Sequence, residues 1–189
     1  LGVEVLAQYS VGQSIFNVAG ISLAQGMATG LDTLCSQSYG RNKSGPELGE
    51  ILQRGLFICL LMCVPIVAVF TLGQPLWVVL FGPSIGPGVA VFLRWSPMYL
   101  VVNIVYTCFQ KALQAQNLPE IGLVSAVFSV CCNPFVNAVF TRHGIEGAVV
   151  TMTITTSIIL LSILCIAAFH PRVIIFQSSW PSRHAIDAD

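Results

Sequence analysis

Gly20-Ile21-Ser22-Leu23-Ala24-Gln25-Gly26-Met27-Ala28-Thr29-Gly30-Leu31-Asp32 closes a stretch, residues 5–31, that holds no charged side chain before Asp32. A run of that length can cross a bilayer, which takes about 20 apolar residues. A carboxylate at its end is costly to bury. It marks either a helix-end device or a step on a path for ions and solutes. Small residues thin the run: Gly26 and Gly30 form G-x-x-x-G, and Ala24 with Ala28 forms a parallel pair. Such spacing lets two helix backbones approach closely, so packing is the first expectation and solute contact the second. Asn17 and Gln25 are too polar for lipid and should face another helix or a cavity.

The rest of the chain has the same character. Charged residues make up 8% of the sequence and hydrophobic residues 55%. A soluble domain carries about 25% charge, so this chain cannot cover a water-exposed surface. The expectation is an all-α polytopic membrane protein. Eight basic residues balance eight acidic ones, which leaves no basic field for nucleic acid. The chain opens on Leu1 without a signal-peptide layout and is expected to be a piece of a longer one. Seven cysteines lie in or beside the apolar segments, and none has zinc spacing with a histidine. They are expected to be buried and unpaired, acting as small apolar residues, with no metal site.

Five segments satisfy the crossing length: residues 11–33, 52–72, 89–111, 121–141 and 147–169. They form the expected membrane region, 11–171, between a lead-in over 1–10 and a polar tail over 172–189. The short apolar piece 76–81 holds Trp77 and is flanked by Pro75, Gly82 and Pro83, which suits the membrane interface. If the spans alternate, Arg41, Lys43, Arg54, Lys111, Arg172 and Arg183 share one side, while Arg142 and Arg94 belong to the other. The positive-inside rule then puts the first group in the cytoplasm, with the N-terminal end outside and the C-terminal end inside. The sequon Asn42-Lys43-Ser44 would face the cytoplasm and stay unmodified. Ser44-Gly45-Pro46-Glu47 reads as a capping box that opens the second span's helix. Pro65, Pro97 and Pro134 fall within or near the ends of three spans. Each removes a backbone donor and can kink its helix. Kinks surround transporter cavities, and prolines are also common in membrane helices generally.

Two constellations could carry chemistry. Asp32 could load and release a proton. It could equally pair with Arg41, Lys43 or Arg54, or bond helix-end amides, and its place at the inner end of the span favours this structural role. Asn133-Pro134-Phe135-Val136-Asn137 sets two amides on one helix face. Amides can coordinate a sodium ion, hydrogen-bond a proton carrier, or join helices. Gln110, Gln114 and Gln116 crowd the inner end of the third span, as a cytoplasmic mouth or as a solvated helix end. His143, His170 and His184 are expected to fall in loops. No Ser/His/Asp set, paired-carboxylate site or phosphate loop is visible, so no enzyme is expected.

The stretch Gly26-Met27-Ala28 through Leu31-Asp32-Thr33-Leu34-Cys35-Ser36-Gln37-Ser38-Tyr39-Gly40 resembles a signature of the multidrug and toxic compound extrusion (MATE) family. That signature is a small-residue segment followed by Leu-Asp-Thr-Leu-Cys-x-Gln-x-x-Gly. Leu52-Gln53-Arg54, Arg94-Trp95, Leu113-Gln114-Ala115-Gln116, the Asn133 to Asn137 block and Gly144-Ile145-Glu146-Gly147-Ala148 follow in the family's order, over about residues 11–169. The eukaryotic branch, and within it the fungal one, looks closest. One departure is Pro83-Ser84-Ile85-Gly86, in a loop that is usually more acidic.

The resemblance implies a twelve-helix transporter of two six-helix lobes around a central cavity, with this chain as helices two to six of the N-terminal lobe. It implies export of organic cations and other xenobiotics in exchange for protons or sodium ions, without a cofactor. The membrane would be the plasma membrane or a vacuolar or other endomembrane. Asn133 and Asn137 would join an ion network with an acid on the first helix, and Asn17 and Gln25 are further cavity candidates. Asp32, Thr33, Gln37, Gly40 and Arg54 would be signature residues of structural role. The partners would be the lipid bilayer, the first helix and the second lobe, and the chain alone is expected not to transport. Two other classes stay open. A lipid flippase of a related superfamily would favour a strongly cationic cavity, and only Arg94 intrudes near a span end. A receptor or structural subunit would need a ligand-reading domain, and five spans without one offer little.

Overall fold

Long apolar runs with few breakers leave their backbone groups no partner in lipid except one another, and the α-helix meets that demand within one segment. In a computed structural model that describes residues 2–42, 47–170 and 173, every regular element is a helix. Helix α1 (Val3–Phe16) runs through a π turn (Asn17–Ile21) into α2 (Ser22–Arg41) as one continuous rod. Then follow α3 (Glu47–Leu72), α4 (Gln74–Ala115), α5 (Pro119–Phe140), a 3-10 turn (Thr141–His143) and α6 (Gly144–Phe169). The expected lead-in is not a separate segment, because residues 3–10 already belong to α1. The proposed capping box and the sequon fall largely on residues 43–46, outside the described ones. The polar tail does too, apart from Val173.

Helices α3, α4, α5 and α6 are each long and apolar enough to cross a membrane. The rod holding residues 11–33 differs. Its first half has 14 residues, and its second half carries Ser22, Gln25, Thr29, Asp32, Thr33, Ser36, Gln37 and Ser38. Neither half is by itself a long apolar helix, although the rod together is roughly 60 Å long at 1.5 Å per residue.

Helix α4 is the centre of the bundle and packs against α1, α2, α3 and α6, while α5 leans mainly on α6. Phe16, Phe70 and Phe92 are buried where α1, α3 and α4 meet, with the Phe16 and Phe92 rings edge to face at 6.2 Å between centroids. In a bilayer such a cluster is held by close packing and ring geometry, since lipid tails offer no hydrophobic drive between helices. The opposite surfaces are apolar and exposed, among them Phe57, Leu61 and Met62 on α3 and Leu123, Val127 and Phe135 on α5. These are the surfaces that suit lipid. Cys35, Cys59, Cys63 and Cys108 are buried among α2, α3 and α4, as expected of small apolar residues. Cys131 and Cys165 are not: they are exposed, because α5 and α6 turn those positions outward.

Three local devices shape α4. At Gly82 the backbone takes φ +73°, and the helix bends between a leading limb, 74–81, and a long limb, 83–115. A left-handed φ of this kind suits glycine because there is no Cβ to clash. The limbs then lie so close that a Cβ on Gly86 would come within 2.6 Å of the Val78 Cα. Residues 83–86 therefore open the long limb and do not form the loop expected there. Pro97 has no N–H for the Leu93 carbonyl four residues back. The buried Ser96 hydroxyl donates to that carbonyl at 2.9 Å. At the far end Asn117 takes φ +54°, while its N–H donates to the Gln114 carbonyl at 3.0 Å and the Leu118 N–H to the Leu113 carbonyl at 3.1 Å. This is a Schellman stop. It tucks Gln116 inward, so that Gln116 is buried and donates to the Ala112 carbonyl at 3.1 Å. Gln116 is thus not part of a solvated helix end.

Candidate functional site

A cavity of about 430 Å³ lies between α1, α4, α5 and α6, lined by Leu6, Tyr9, Tyr99, Asn133, Asn137, Ala148, Thr151, Met152, Thr155 and Thr156. The sequence places its polar groups by helical spacing. Asn133 and Asn137 are one turn apart on α5, and the Asn137 amide donates to the Asn133 side-chain carbonyl. One Asn137 donor is therefore engaged within the pair. Across the cavity, the Tyr9 hydroxyl donates to the Met152 sulfur at 3.7 Å. The Tyr99 hydroxyl is hydrogen-bonded to Thr156 and accepts the Asn103 amide at 3.3 Å. Met152 thus links α6 to α1, and Tyr99 links α4 to α6.

Two polar atoms in this region have no partner among the described residues: the Thr155 hydroxyl, which lines the cavity, and the carbonyl oxygen of the buried Asn103 side chain. An unmet buried hydroxyl costs about 1–3 kcal/mol, so Thr155 is ready to bond whatever enters. Among the described residues the lining carries hydroxyls, amides and a thioether, and no charged side chain. Chemically it can accept hydrogen bonds and coordinate a hard cation through oxygen, but it holds no fixed charge to neutralise one.

Asp32 is elsewhere. It sits towards the far end of the rod from Tyr9, and the Lys111 ammonium donates to its carboxylate at 3.2 Å. The two side chains are 34% and 26% exposed, so the pair is neither fully solvated nor fully buried. Lys111 is not among the partners expected for Asp32, which are Arg41, Lys43 and Arg54. Arg41 instead pairs with Glu47 at 2.7 Å, both exposed, and Lys43 lies outside the described residues. Lys111 reaches Asp32 because α4 packs directly against α2.

The other candidates fall on different surfaces. The Thr33 hydroxyl donates to the Thr29 carbonyl at 3.3 Å, and Gln37 and Gly40 are exposed. Asn17 and Gln25 are exposed on the rod and do not line the cavity. No neighbouring atom lies within 4 Å of a Cβ built on Gly26 or Gly30. Gly30 and Arg54 instead edge a second, largely apolar groove of about 500 Å³ between α2 and α3. Sequence reasoning did not single out Tyr9, Tyr99, Thr155 or Thr156. The available signal was four threonines, Thr151, Thr153, Thr155 and Thr156, within six residues of an otherwise apolar run.

Comparison with known proteins gives the same direction. The MatE family matches residues 1–139. The chain is 28% identical over 180 residues to Protein DETOXIFICATION 16 of Arabidopsis thaliana, covering 90% of this chain and 36% of that protein. It is 30% identical over 159 residues to Multidrug and toxin extrusion protein 1 of Danio rerio, covering 82% and 27%. It is 31% identical over 162 residues to Multidrug and toxin extrusion protein 2 of Oryctolagus cuniculus, covering 82% and 26%. The chain thus spans between about a quarter and two-fifths of the length of the curated relatives it matches.

Proposed function

The chain belongs to the MatE family and is an integral multi-pass membrane protein, and from that premise we propose that it forms the larger part of one lobe of a secondary antiporter. The complete protein exports organic cations and other xenobiotics in exchange for protons or sodium ions, by alternating access. The chain by itself does not transport. Its first helix and second lobe are supplied by the rest of that protein, and the N-terminal end of the chain lies outside and the C-terminal end in the cytoplasm. The membrane is the plasma membrane or a vacuolar or other endomembrane.

The observation that carries this reading is the uncharged polar cavity. Coupling requires that an ion bind one conformation better than the other. Asn133, Asn137 and the unpartnered Thr155 hydroxyl offer oxygen ligands on two different helices, α5 and α6. Rocking α5 against α6 would change their separation and hence the ion's affinity. The charge that anchors the ion would come from an acid on the lobe's first helix. Asn17 and Gln25, on the exposed face of the rod, belong to the wider path and not to this ion network. Asp32, held by Lys111, keeps the inner ends of α2 and α4 together. Thr33, Gln37, Gly40 and Arg54 complete that inner-end region, and Gly26 and Gly30 remain available for helix packing in the complete protein. A lipid-translocating cavity would need cations for phosphate, and the described lining has none.

The test is transport by the complete protein in reconstituted vesicles, with the proton and sodium gradients imposed separately. Efflux of a cationic dye should follow one gradient, and Asn137→Ala should uncouple it while Asp32→Asn keeps the same ion dependence. Dye movement indifferent to both gradients would end the antiporter reading.

A further inference from the structure

The rod formed by α1 and α2 is interrupted by a single π turn, Asn17–Ile21. In that turn the Ser22 N–H bonds the Asn17 carbonyl five residues back, and the Ser22 hydroxyl donates to the same carbonyl at 2.9 Å. A π turn adds one residue to the helical winding. At 3.6 residues per turn, everything downstream is rotated by about 100° relative to an uninterrupted α-helix.

That rotation has a visible consequence. Upstream, Ser10, Ser14 and Asn17 are exposed at helical spacing; downstream, Ser22, Gln25, Thr29 and Thr33 are exposed at helical spacing. In a plain α-helix the two sets would stand about 100° apart around the rod. With the π turn they fall in line. The buried side behaves in the same way: Gly12 and Phe16 upstream align with Ala24, Ala28, Leu31 and Cys35 downstream, and both sets face α4. Without the turn, one half of the rod would present its polar residues sideways, away from the half it continues.

The hydroxyls along the aligned face share one arrangement. Ser10 donates to the Leu6 carbonyl, Ser14 to Ser10, Thr29 to Gln25 and Thr33 to Thr29, each four residues back. Their protons are used within the helix, so their oxygens present lone pairs outward. Lipid tails cannot use these acceptors, and water can.

We propose that the π turn is a register device that joins the polar faces of α1 and α2 into one water-facing stripe along the rod. The proposal draws on the transporter reading for the presence of an aqueous path. It is read by labelling and not by transport, so the two can fail separately.

The experiment is single-cysteine labelling in the complete protein in membranes, with a charged maleimide and mass-spectrometric localisation. Cysteine replaces Ser10, Ser14, Ser22, Gln25, Thr29 or Thr33 in turn, with Leu23→Cys and Leu34→Cys as exposed apolar controls about 100° off the stripe. Labelling of both polar sets with both controls spared is the expected result. Labelling of one half only, or of the controls as strongly as the stripe, overturns the proposal. Deleting Val18 sharpens the test by removing the extra residue. With α2 held by α3 and α4, plain α-helix through the shortened segment keeps the two faces in line, so Ser10 and Ser14 should stay labelled together with the downstream set. If labelling leaves Ser10 and Ser14 for neighbouring positions in a deletion variant that retains downstream labelling, the π turn is not what absorbs the extra residue and the proposal fails.

Discussion

The chain holds two polar sites of opposite kind. Between α2 and α4, Asp32 and Lys111 make a pair of opposite charges that neutralise each other. In the cavity between α1, α4, α5 and α6 the described residues bring no charged side chain, and the Thr155 hydroxyl has no partner among them. A satisfied pair resists change, because breaking it leaves a charge in poor surroundings. A neutral site with an unmet hydrogen-bonding atom gains from whatever arrives. The most conspicuous acid in the sequence is therefore engaged by Lys111 across α2 and α4, while in the cavity the Thr155 hydroxyl is left without a partner among the described residues.

The sharpest way to break this contrast is at Asn137. In the complete protein, Asn137→Ala should lower ion-coupled efflux by roughly tenfold or more, the scale of a typical coupling energy. Asp32→Asn should change expression and stability more than ion dependence. Vesicle transport under imposed gradients measures both, and the reverse ranking would exchange the roles of the two sites.

Next in size is the ion pair itself. Lys111→Met removes the cation from a partly buried carboxylate and should cost about 1–3 kcal/mol of stability. Asp32→Asn combined with Lys111→Met should recover part of that loss. Thermal unfolding in detergent would show the recovery as a raised midpoint of the double variant over the Lys111 variant. Additive losses would mean that the two groups do not act on each other.

A smaller effect is expected in the cavity. Thr155→Val removes the unmet hydroxyl at nearly constant volume and should leave stability unchanged or raise it by up to about 1 kcal/mol, while reducing coupled efflux. A clear loss of stability would show that the hydroxyl has a structural partner and would weaken the contrast. Least of all should change at Arg41, whose exposed bridge to Glu47 is worth about 0–1 kcal/mol and should fade with salt. At the neighbouring sequon, glycosylation mapping should find Asn42 unmodified if that end of the rod is cytoplasmic.

The helical class was legible because an excess of apolar residues and a shortage of charge leave few other solutions. Asn133 and Asn137 were legible as a pair because four-residue spacing puts two amides on one face of α5. Lys111 as the partner of Asp32 was not, since it is distant in sequence and local charge pairs were the obvious candidates. Only the packing of α4 on α2 brings it near. Tyr9 and Tyr99 were missed because a tyrosine in an apolar run reads as ordinary core. The π turn was also invisible, because periodicity counted at a constant 3.6 residues treats the two halves of the rod as separate patterns.

The serine before Pro97 bears on how the two sites communicate. Both draw on α4, through Tyr99 at the cavity and Lys111 at the ion pair. Ser96 supplies the donor that Pro97 withholds from the Leu93 carbonyl, so the helix can flex there without leaving that acceptor bare in hydrocarbon. Mechanically, α4 has a lubricated joint on the N-terminal side of both attachments. The stretch from Tyr99 to Lys111 is one uninterrupted length of helix, a stiff lever that joins the cavity to the ion pair.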